Sequence, residues 1–325
     1  MAHLNLTVVE IHVETPIIRS LFLEAAGKQA LPRFTAGAHL KVSIPGQKVP
    51  RCYSLVCLDT DNSAFDFPRR YRISVRLEEP GTGGSRHMHS LQIGDTLEVE
   101  GPQNDFPLHD LASDEPRTVL IAGGIGITPI ISMTTALKQA QHPFQLHYYG
   151  RRRDQMAFLE ELTAQHGDAL RVHADDDETT QLALSDLLQQ VGPNQHLYVC
   201  GPKGLIDAVI HQSRDRQWPQ SHVHFELFNN AAALPGDKAF DLELRQSGRM
   251  LHIPADKTIL EVLEEAGCDP MYDCRRGECG VCQATVLEGT PDHRDYYLSD
   301  PERKAGQVMQ ICVSRSHSDR LVLDL

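Results

Sequence analysis

Cys274-Arg275-Arg276-Gly277-Glu278-Cys279-Gly280-Val281-Cys282, completed by Cys312 after twenty-nine intervening residues, is a C-x4-C-x2-C run with a distant fourth thiol. This is the spacing of a plant-type iron–sulfur site, and a two-iron, two-sulfur (2Fe-2S) centre fits it best. Three thiolates share one tight loop, in which Gly277 and Gly280 are free to take positive φ and aim backbone N–H groups inward at an anionic cluster. Cys312 has to arrive from a remote strand, so a cluster here would fasten two parts of a small domain together. Zinc also takes four thiolates, but its usual ligands come as two C-x2-4-C pairs, not three on a loop and one alone. Disulfides are the other reading of eight cysteines, yet Met1-Ala2-His3-Leu4-Asn5-Leu6 has no basic segment followed by an apolar run to signal secretion. Cys52, Cys57, Cys200 and Cys268 are read as reduced structural cysteines.

Outward from that loop, Phe240 to Arg245 and Met250 to Ile253 flank Ser247-Gly248 as a hairpin, and a short helix follows. Asp256 is placed to cap the helix, Ile259, Leu263 and Ala266 share one face, and Gly267 ends it. Residues 239–325 thus read as a compact α+β domain, preceded by a linker over 228–238 that ends in a Pro235-Gly236 turn signal.

Earlier still, two textures meet. Residues 1–112 are short alternating strands (Leu4 to Val13, Ile17 to Glu24, His39 to Ile44, Arg51 to Cys57, Tyr71 to Leu77, Thr96 to Glu100), which implies an antiparallel barrel. Residues 113–227 alternate strands with helices from Val119 to Glu226, which implies a parallel sheet covered by helices. The boundary is expected in the polar stretch Leu111 to Glu115. The fold class is therefore multi-domain: antiparallel β-barrel, α/β parallel sheet, then a small α+β domain.

Four further segments carry chemistry. Val119-Leu120-Ile121-Ala122 runs into Gly123-Gly124-Ile125-Gly126-Ile127-Thr128-Pro129 and a helix, with Thr128 suited to the N-cap and Pro129 to the first turn, so a pyrophosphate can sit at the helix N-terminus. Pro129 stands where the dinucleotide fingerprint has its third glycine, and a plain strand-to-helix turn remains the alternative. Cys200-Gly201-Pro202 closes another strand at the crevice end of such a sheet; a packed thiol at a turn is its bland reading. Arg51-Cys52-Tyr53-Ser54-Leu55 puts a cation, a ring and a hydroxyl on one short strand, Arg51 and Tyr53 on one face and Ser54 on the other. Gly81-Thr82-Gly83-Gly84-Ser85, between Ser74-Val75-Arg76 and a helix from Arg86 to Leu91, is either a phosphate cradle or a loose hairpin loop.

The 325 residues carry a net charge of −13, which disfavours nucleic acid as a partner and permits steering towards a basic protein surface. Without an eighteen-residue apolar run, the chain is expected to be soluble and cytoplasmic, with a monomer as the default.

The ordered set Arg51-x-Tyr53-Ser54-Leu55, Gly123 to Pro129, Cys200-Gly201-Pro202 and the C-terminal cysteines resembles the phthalate dioxygenase reductase family. That family comprises ferredoxin–NADP reductase superfamily chains with a C-terminal plant-type ferredoxin, and includes vanillate O-demethylase and carnitine monooxygenase reductases. Asn104-Asp105-Phe106-Pro107-Leu108, His224-Phe225-Glu226 with Phe228, Asp292-His293-Arg294-Asp295 and Cys312-Val313-Ser314-Arg315 extend the likeness over nearly the whole chain. The resemblance implies an FMN-binding barrel, an NAD(P)H-binding α/β domain and a β-grasp ferredoxin. It implies that Arg51, Tyr53, Ser54, Leu55, Ser74, Val75, Arg76, Gly83, Gly84 and Ser85 hold FMN, with Thr128 close by and Phe228 against the ring. Gly123, Gly124, Gly126, Pro129, Gly201, Pro202 and Arg151 would bind the nucleotide. Ser54, Cys200 and Glu226 would line the catalytic contact, and Cys274, Cys279, Cys282 and Cys312 would hold the cluster. Flavin is needed because a nicotinamide gives two electrons at once and a 2Fe-2S centre takes one. The acceptor implied is a Rieske-type non-haem iron oxygenase, and NADH is favoured over NADPH, although Arg151-Arg152-Arg153 could meet a 2'-phosphate. Arg275 and Arg276 are expected to be exposed for docking.

Overall fold

The computed structural model describes residues 2–47, 49–58, 65–79, 81, 83–111, 116–228 and 233–325. Residues 112–115 of the expected boundary, 229–232 of the expected linker, and Thr82 lie outside the described residues. The chain forms two compact units, divided after Phe228.

The first unit begins with six antiparallel strands and one short helix: β1 (His3–Thr15), β2 (Ile18–Ala25), β3 (His39–Val42), β4 (Arg51–Ser54), β5 (Arg70–Arg76), α1 (Gly84–Ser90) and β6 (Thr96–Gln103). They pair in the order β4-β3-β6-β1-β2-β5, and a bridge between Leu55 and Ile73 closes the ends into a barrel. Period-two alternation drives this: Leu97 and Val99 point inward while Thr96 and Glu98 face out, and Leu6, Val8, Leu21, Leu23, Leu40, Val42, Tyr71 and Ile73 complete the core.

The same unit continues with β7 (Thr118–Gly123), α2 (Ile127–Gln139), β8 (Phe144–Gly150), α3 (Leu159–His166), β9 (Leu170–Ala174), α4 (Leu184–Gln189), β10 (Leu197–Cys200), α5 (Lys203–Asp215) and β11 (Val223–Glu226). All five strands are parallel, in the order β11-β10-β7-β8-β9. Every residue of β7 is buried, as a strand covered on both faces requires. Strand order reverses between β7 and β10, so the crevice at their C-terminal ends is the topological switch point where such sheets bind ligands. The barrel and this sheet share a core: Ile18, Ala36, Val56 and Phe106 pack with Leu120, Ile127, Ile130 and Tyr148.

The second unit holds β12 (Phe240–Leu244), β13 (Arg249–Ile253), α6 (Ile259–Glu265), β14 (Gln283–Glu288), β15 (Pro291–Asp292), α7 (Asp300–Ala305), β16 (Val308–Gln310), β17 (Arg315–Ser316) and β18 (Arg320–Leu323). Its main sheet runs β13-β12-β18-β14-β16, with β12 and β18 parallel and the other pairs antiparallel, and β15 pairs with β17. This is the mixed sheet and single packed helix of a β-grasp. Gly248, at φ +67°, turns the expected hairpin, and Gly267, at φ +72°, ends α6. The cap of α6 differs from expectation. Thr258 accepts from the Glu261 N–H at 3.1 Å while the Glu261 carboxylate accepts from the Thr258 N–H at 2.8 Å. This reciprocal box satisfies two helix-end donors at once, which Asp256 could not do from two residues earlier.

Candidate functional site

The four predicted ligand thiols come together in the second unit. Cys279 lies against Cys274, and Cys282 against Cys312. The hydrogen bond from Cys312, above all, brings the Cys282 thiol down to about 7, whereas burial pushes Cys279 up to about 11. Gly277 and Gly280 both take φ +76°, as a loop wrapping a cluster needs, and Arg275 also adopts the left-handed region at φ +56°. The Arg276 N–H donates to Cys274 Sγ at 3.3 Å, the type of bond that stabilises a thiolate ligand. Sulfur donors on a loop with inward amides are the donor set of a 2Fe-2S centre, and they fit one.

Neighbours hold the loop in place. A Cβ on Gly277 would lie 2.7 Å from Val313 Cγ2 and 3.0 Å from Asp295 Cα, and one on Gly280 would enter the Tyr297 ring at 2.4 Å. The Tyr296 N–H bonds the Gly277 carbonyl at 2.9 Å, and the buried Asp295 carboxylate accepts from the Leu298 N–H at 2.7 Å. Arg294, of the same segment, grips both oxygens of Asp237 at 2.9 and 2.6 Å and thereby anchors the start of the unit. The expectation that Arg275 and Arg276 stand exposed is overturned. Arg276 is 6% exposed with Nε 2.9 Å from Glu278, and Arg275 pairs with Glu264 while its guanidinium covers the Tyr272 ring at 4.1 Å. The left-handed turn at Arg275 tucks both side chains into the domain. Met271, Tyr272, Val281 and Tyr297 are exposed apolar side chains of this region.

In the first unit, β4 and β5 meet at the Leu55–Ile73 bridge, and among the described residues no further pairing joins them. Arg51 to Ser54 and Ser74 to Arg76 therefore border a gap that leaves main-chain groups available to a flat ring. Arg51 lies across Gly84, with its Cγ 3.3 Å from where a Cβ would sit, and its Nε donates to Gln47 Oε1 at 3.1 Å. Gly83 turns the chain into α1 at φ +93°, and Ser85 Oγ accepts from the Glu78 N–H at 3.0 Å, which leaves its own proton to donate. Buried Arg76 Nε has no hydrogen-bond partner among the described residues, an orphan donor suited to an acceptor in the gap. Burial pushes Tyr53 up to about 12, so it remains a neutral phenol. Ser54 is buried, and Ser74 Oγ is 2.7 Å from Ser20 Oγ between β5 and β2.

At the C-terminal ends of β7 and β10 the two predicted glycine turns interlock. A Cβ on Gly126 would lie 2.3 Å from the Cys200 carbonyl oxygen, and one on Gly201 would lie 2.9 Å from Gly123 Cα. The turns pass main chain to main chain, which only glycine permits. Gly124, by contrast, has open space around it at φ +53°. Gly124–Gly126 is a 3-10 turn packed against β5, so this crevice adjoins the gap in the barrel. Thr128 is not the N-cap: Gly126 is, and Thr128 and Pro129 lie buried in the first turn of α2, where the Thr128 hydroxyl donates to the Ile125 carbonyl at 3.0 Å. Buried Cys200 pairs in register with Glu226, itself 3% exposed, and Phe228 follows β11 partly exposed. Pro202 is exposed at the crevice mouth, and exposed Arg151 follows β8 one strand further along.

The residues that set the crevice against the gap were not evident from sequence. Ser132 Oγ accepts from the Cys57 N–H at 2.9 Å and donates to the Leu55 carbonyl at 2.6 Å, and Thr135 Oγ1 donates to the Cys57 carbonyl at 2.7 Å. Helix α2 is thus bonded to the strand that continues from Arg51 to Ser54. Hydroxyl residues at i and i+3 on the buried face of α2 were the available signal.

A barrel gap, a dinucleotide-type crevice beside it and a loop of three thiols joined by a fourth from a distant segment define an electron-transfer oxidoreductase that binds a flavin and a 2Fe-2S cluster. Residues 5–107 match a family model described as an oxidoreductase FAD-binding domain, 109–223 the N-terminal domain of dimethylamine monooxygenase subunit DmmA-like proteins, and 242–317 a 2Fe-2S iron-sulfur cluster binding domain. The vanillate O-demethylase oxidoreductase of Acinetobacter baylyi is 36% identical over 327 residues, 100% of both chains. The carnitine monooxygenase reductase subunit of Escherichia coli is 39% identical, covering 96% of this chain and 95% of its own. The solved structure of phthalate dioxygenase reductase aligns with a TM-score of 0.72 and 35% identity over 100% of this chain and 98% of that one. An intact type IV self-sufficient cytochrome monooxygenase aligns over 99% of this chain, which spans only 41% of that longer protein (35% identity, TM-score 0.71). The chain belongs to the phthalate dioxygenase reductase family.

Proposed function

We propose that this chain takes a hydride from NADH onto FMN and delivers single electrons through its 2Fe-2S cluster to a separate Rieske-type non-haem iron oxygenase. It does so as a cytoplasmic monomer built of modules 1–112, 113–227 and 239–325 joined by the linker 228–238. The observation that carries the hydride step is the contact of the interlocked glycine turns with β5, beside the β4–β5 gap. Flavin supplies the conversion between a two-electron donor and a one-electron acceptor.

The side chains divide the work. Arg51 and the Ser85 hydroxyl meet a terminal phosphate, which supports FMN although the matched barrel model is described as FAD-binding. Tyr53, Ser54, Leu55, Ser74, Val75 and Arg76 would hold the flavin ring, with Thr128 and Phe228 close by. The Gly123–Pro129 and Cys200–Pro202 turns hold the pyrophosphate, and Cys200 and Glu226 line the nicotinamide contact and exclude water without relaying a proton. Around the ribose, Arg152 is chelated by Asp154 at 3.0 Å, and the Arg153 N–H donates to Asp176. That acid-rich setting disfavours a 2'-phosphate and supports NADH. All eight cysteines are free thiols, in keeping with a reducing compartment, and no helix among the described residues is long and apolar enough to cross a membrane. The oxygenase partner is supported by the carnitine monooxygenase relative, which is named as a reductase subunit.

The test is a comparison of the unaltered chain with Cys279→Ser. The variant should keep NADH–ferricyanide activity, which draws on flavin, and lose one-electron delivery to cytochrome c or a copurified oxygenase. Loss of both activities in a protein that retains flavin would overturn the division of roles. kcat/KM for NADH should exceed that for NADPH, and heat-released flavin should chromatograph as FMN.

A further inference from the structure

At the end of the parallel sheet away from the nucleotide turns, three imidazoles converge from separate segments: His109 after β6, His196 immediately before β10, and His224 in β11. A nitrogen of each lies within 4.8 Å of the other two. We propose that His109, His196 and His224 form a binding site for a divalent transition-metal ion of the zinc class, with water in the fourth position.

Register builds the cluster. Leu197 pairs with Val223 and Tyr198 with His224, so the residue before β10 and the second residue of β11 point to one side at the sheet's N-terminal edge. His196 Nδ1 and His224 Nε2 are 2.9 Å apart. A tetrahedral ion with Zn–N bonds of about 2.0–2.1 Å needs that pair to open to about 3.3 Å, a shift of a few tenths of an ångström. The Tyr198 hydroxyl holds the His109 segment in place: it accepts the His109 main-chain N–H at 2.7 Å, and it lies 3.0 Å from the ring Nδ1. His109 and His196 now stack 3.5 Å apart with planes 4° from parallel, so binding requires the His109 ring to turn about χ2, a broad torsion. His222, its ring tilted 36° against His196 at 4.4 Å and bonded to the Pro193 carbonyl at 2.8 Å, walls one side. All three ligands are half-buried and reachable from solvent, and neutral imidazole suits zinc, copper and nickel better than magnesium or calcium. The length of β10, roughly 13 Å, separates the site from the nucleotide turns. The ion would therefore clamp the segment leaving the barrel onto the sheet edge and take no part in hydride transfer.

The experiment is a Zn2+ titration of the full-length, flavin- and cluster-loaded protein by calorimetry, with zinc X-ray absorption on the complex. One equivalent should bind, with a nitrogen shell near 2.0–2.1 Å carrying imidazole scattering and no sulfur near 2.3 Å. His196→Ala should weaken binding about 100-fold and abolish the zinc-induced rise in Tm, while NADH–ferricyanide activity is unchanged. A sulfur shell, which would mean that zinc has entered the cysteine site, overturns the proposal. So does unaltered affinity in both His196→Ala and His224→Gln. If either variant fails to fold, the absorption spectrum of the unaltered chain decides alone.

Discussion

Gly126→Ala tests whether hydride transfer depends on the interlocked turns. Gly126 has φ −62°, so alanine brings no backbone strain, and any effect has to come from contact. Its Cβ would lie 2.3 Å from the Cys200 oxygen, 2.4 Å from the Cys200 carbonyl carbon and 2.6 Å from the Gly201 nitrogen. All three are main-chain atoms, and no side chain can swing away. Restoring ordinary contact requires the β10–α5 turn to retreat by about 1 Å, at an overpacking cost of about 1–3 kcal/mol. A displacement of that size at a reacting pair costs about 100-fold in rate. Stopped-flow flavin reduction by NADH should therefore slow by about two orders of magnitude with flavin still bound, accompanied by a lower Tm. Gly204→Ala is the control, because nothing lies within 4 Å of its Cβ; it should leave the rate unchanged and raise helix stability by about 0.5–1 kcal/mol. Flavin reduction within threefold of normal in Gly126→Ala would refute the reasoning.

Two other outcomes follow from buried polar groups. Ser132→Ala leaves the Cys57 N–H and the Leu55 carbonyl without their shared partner, so thermal unfolding of flavin-loaded protein should register a loss of about 2–4 kcal/mol. A loss below about 0.5 kcal/mol would mean that water replaces the hydroxyl. Burial, with His173 beside it, pushes His147 down to about 3, and the His173 Nδ1–H donates to the Thr180 carbonyl at 2.7 Å while its Nε2 faces His147 Nδ1 at 3.0 Å. His147 stays neutral in the folded chain, so between pH 6.5 and about 3 the unfolded chain binds more protons, and stability falls as pH falls. The slope from His147 is up to about 1.4 kcal/mol per pH unit, and His147→Phe should flatten it in urea titrations taken at stepped pH. An unchanged slope would remove His147 as the cause.

Much was legible because local patterns carry it. Alternation in Thr96 to Glu100, the strand–glycine–helix run from Val119 and the cysteine spacing each depend on residues close in sequence, and each appears where expected. The failures are equally local in origin. Thr128 looked like an N-cap because Pro129 follows it, but the 3-10 turn over Gly124–Gly126 had already begun the helix. Arg275 and Arg276 looked exposed because charged loop residues usually are, yet a left-handed turn at a non-glycine residue carried them inward.

By itself the sequence determined that a four-cysteine 2Fe-2S site follows a flavin-binding domain along the chain, since residue type and order are covalent properties. Only the tertiary structure decided what those segments face. Seventeen histidines in the sequence say nothing of three imidazoles within 4.8 Å, because register between β10 and β11 brings them together. The glycines of the two turns likewise reveal their shared purpose only when the 74 residues between Gly126 and Gly201 fold back and set main chain against main chain. Contacts between distant segments depend on packing, and packing is a property of the whole core.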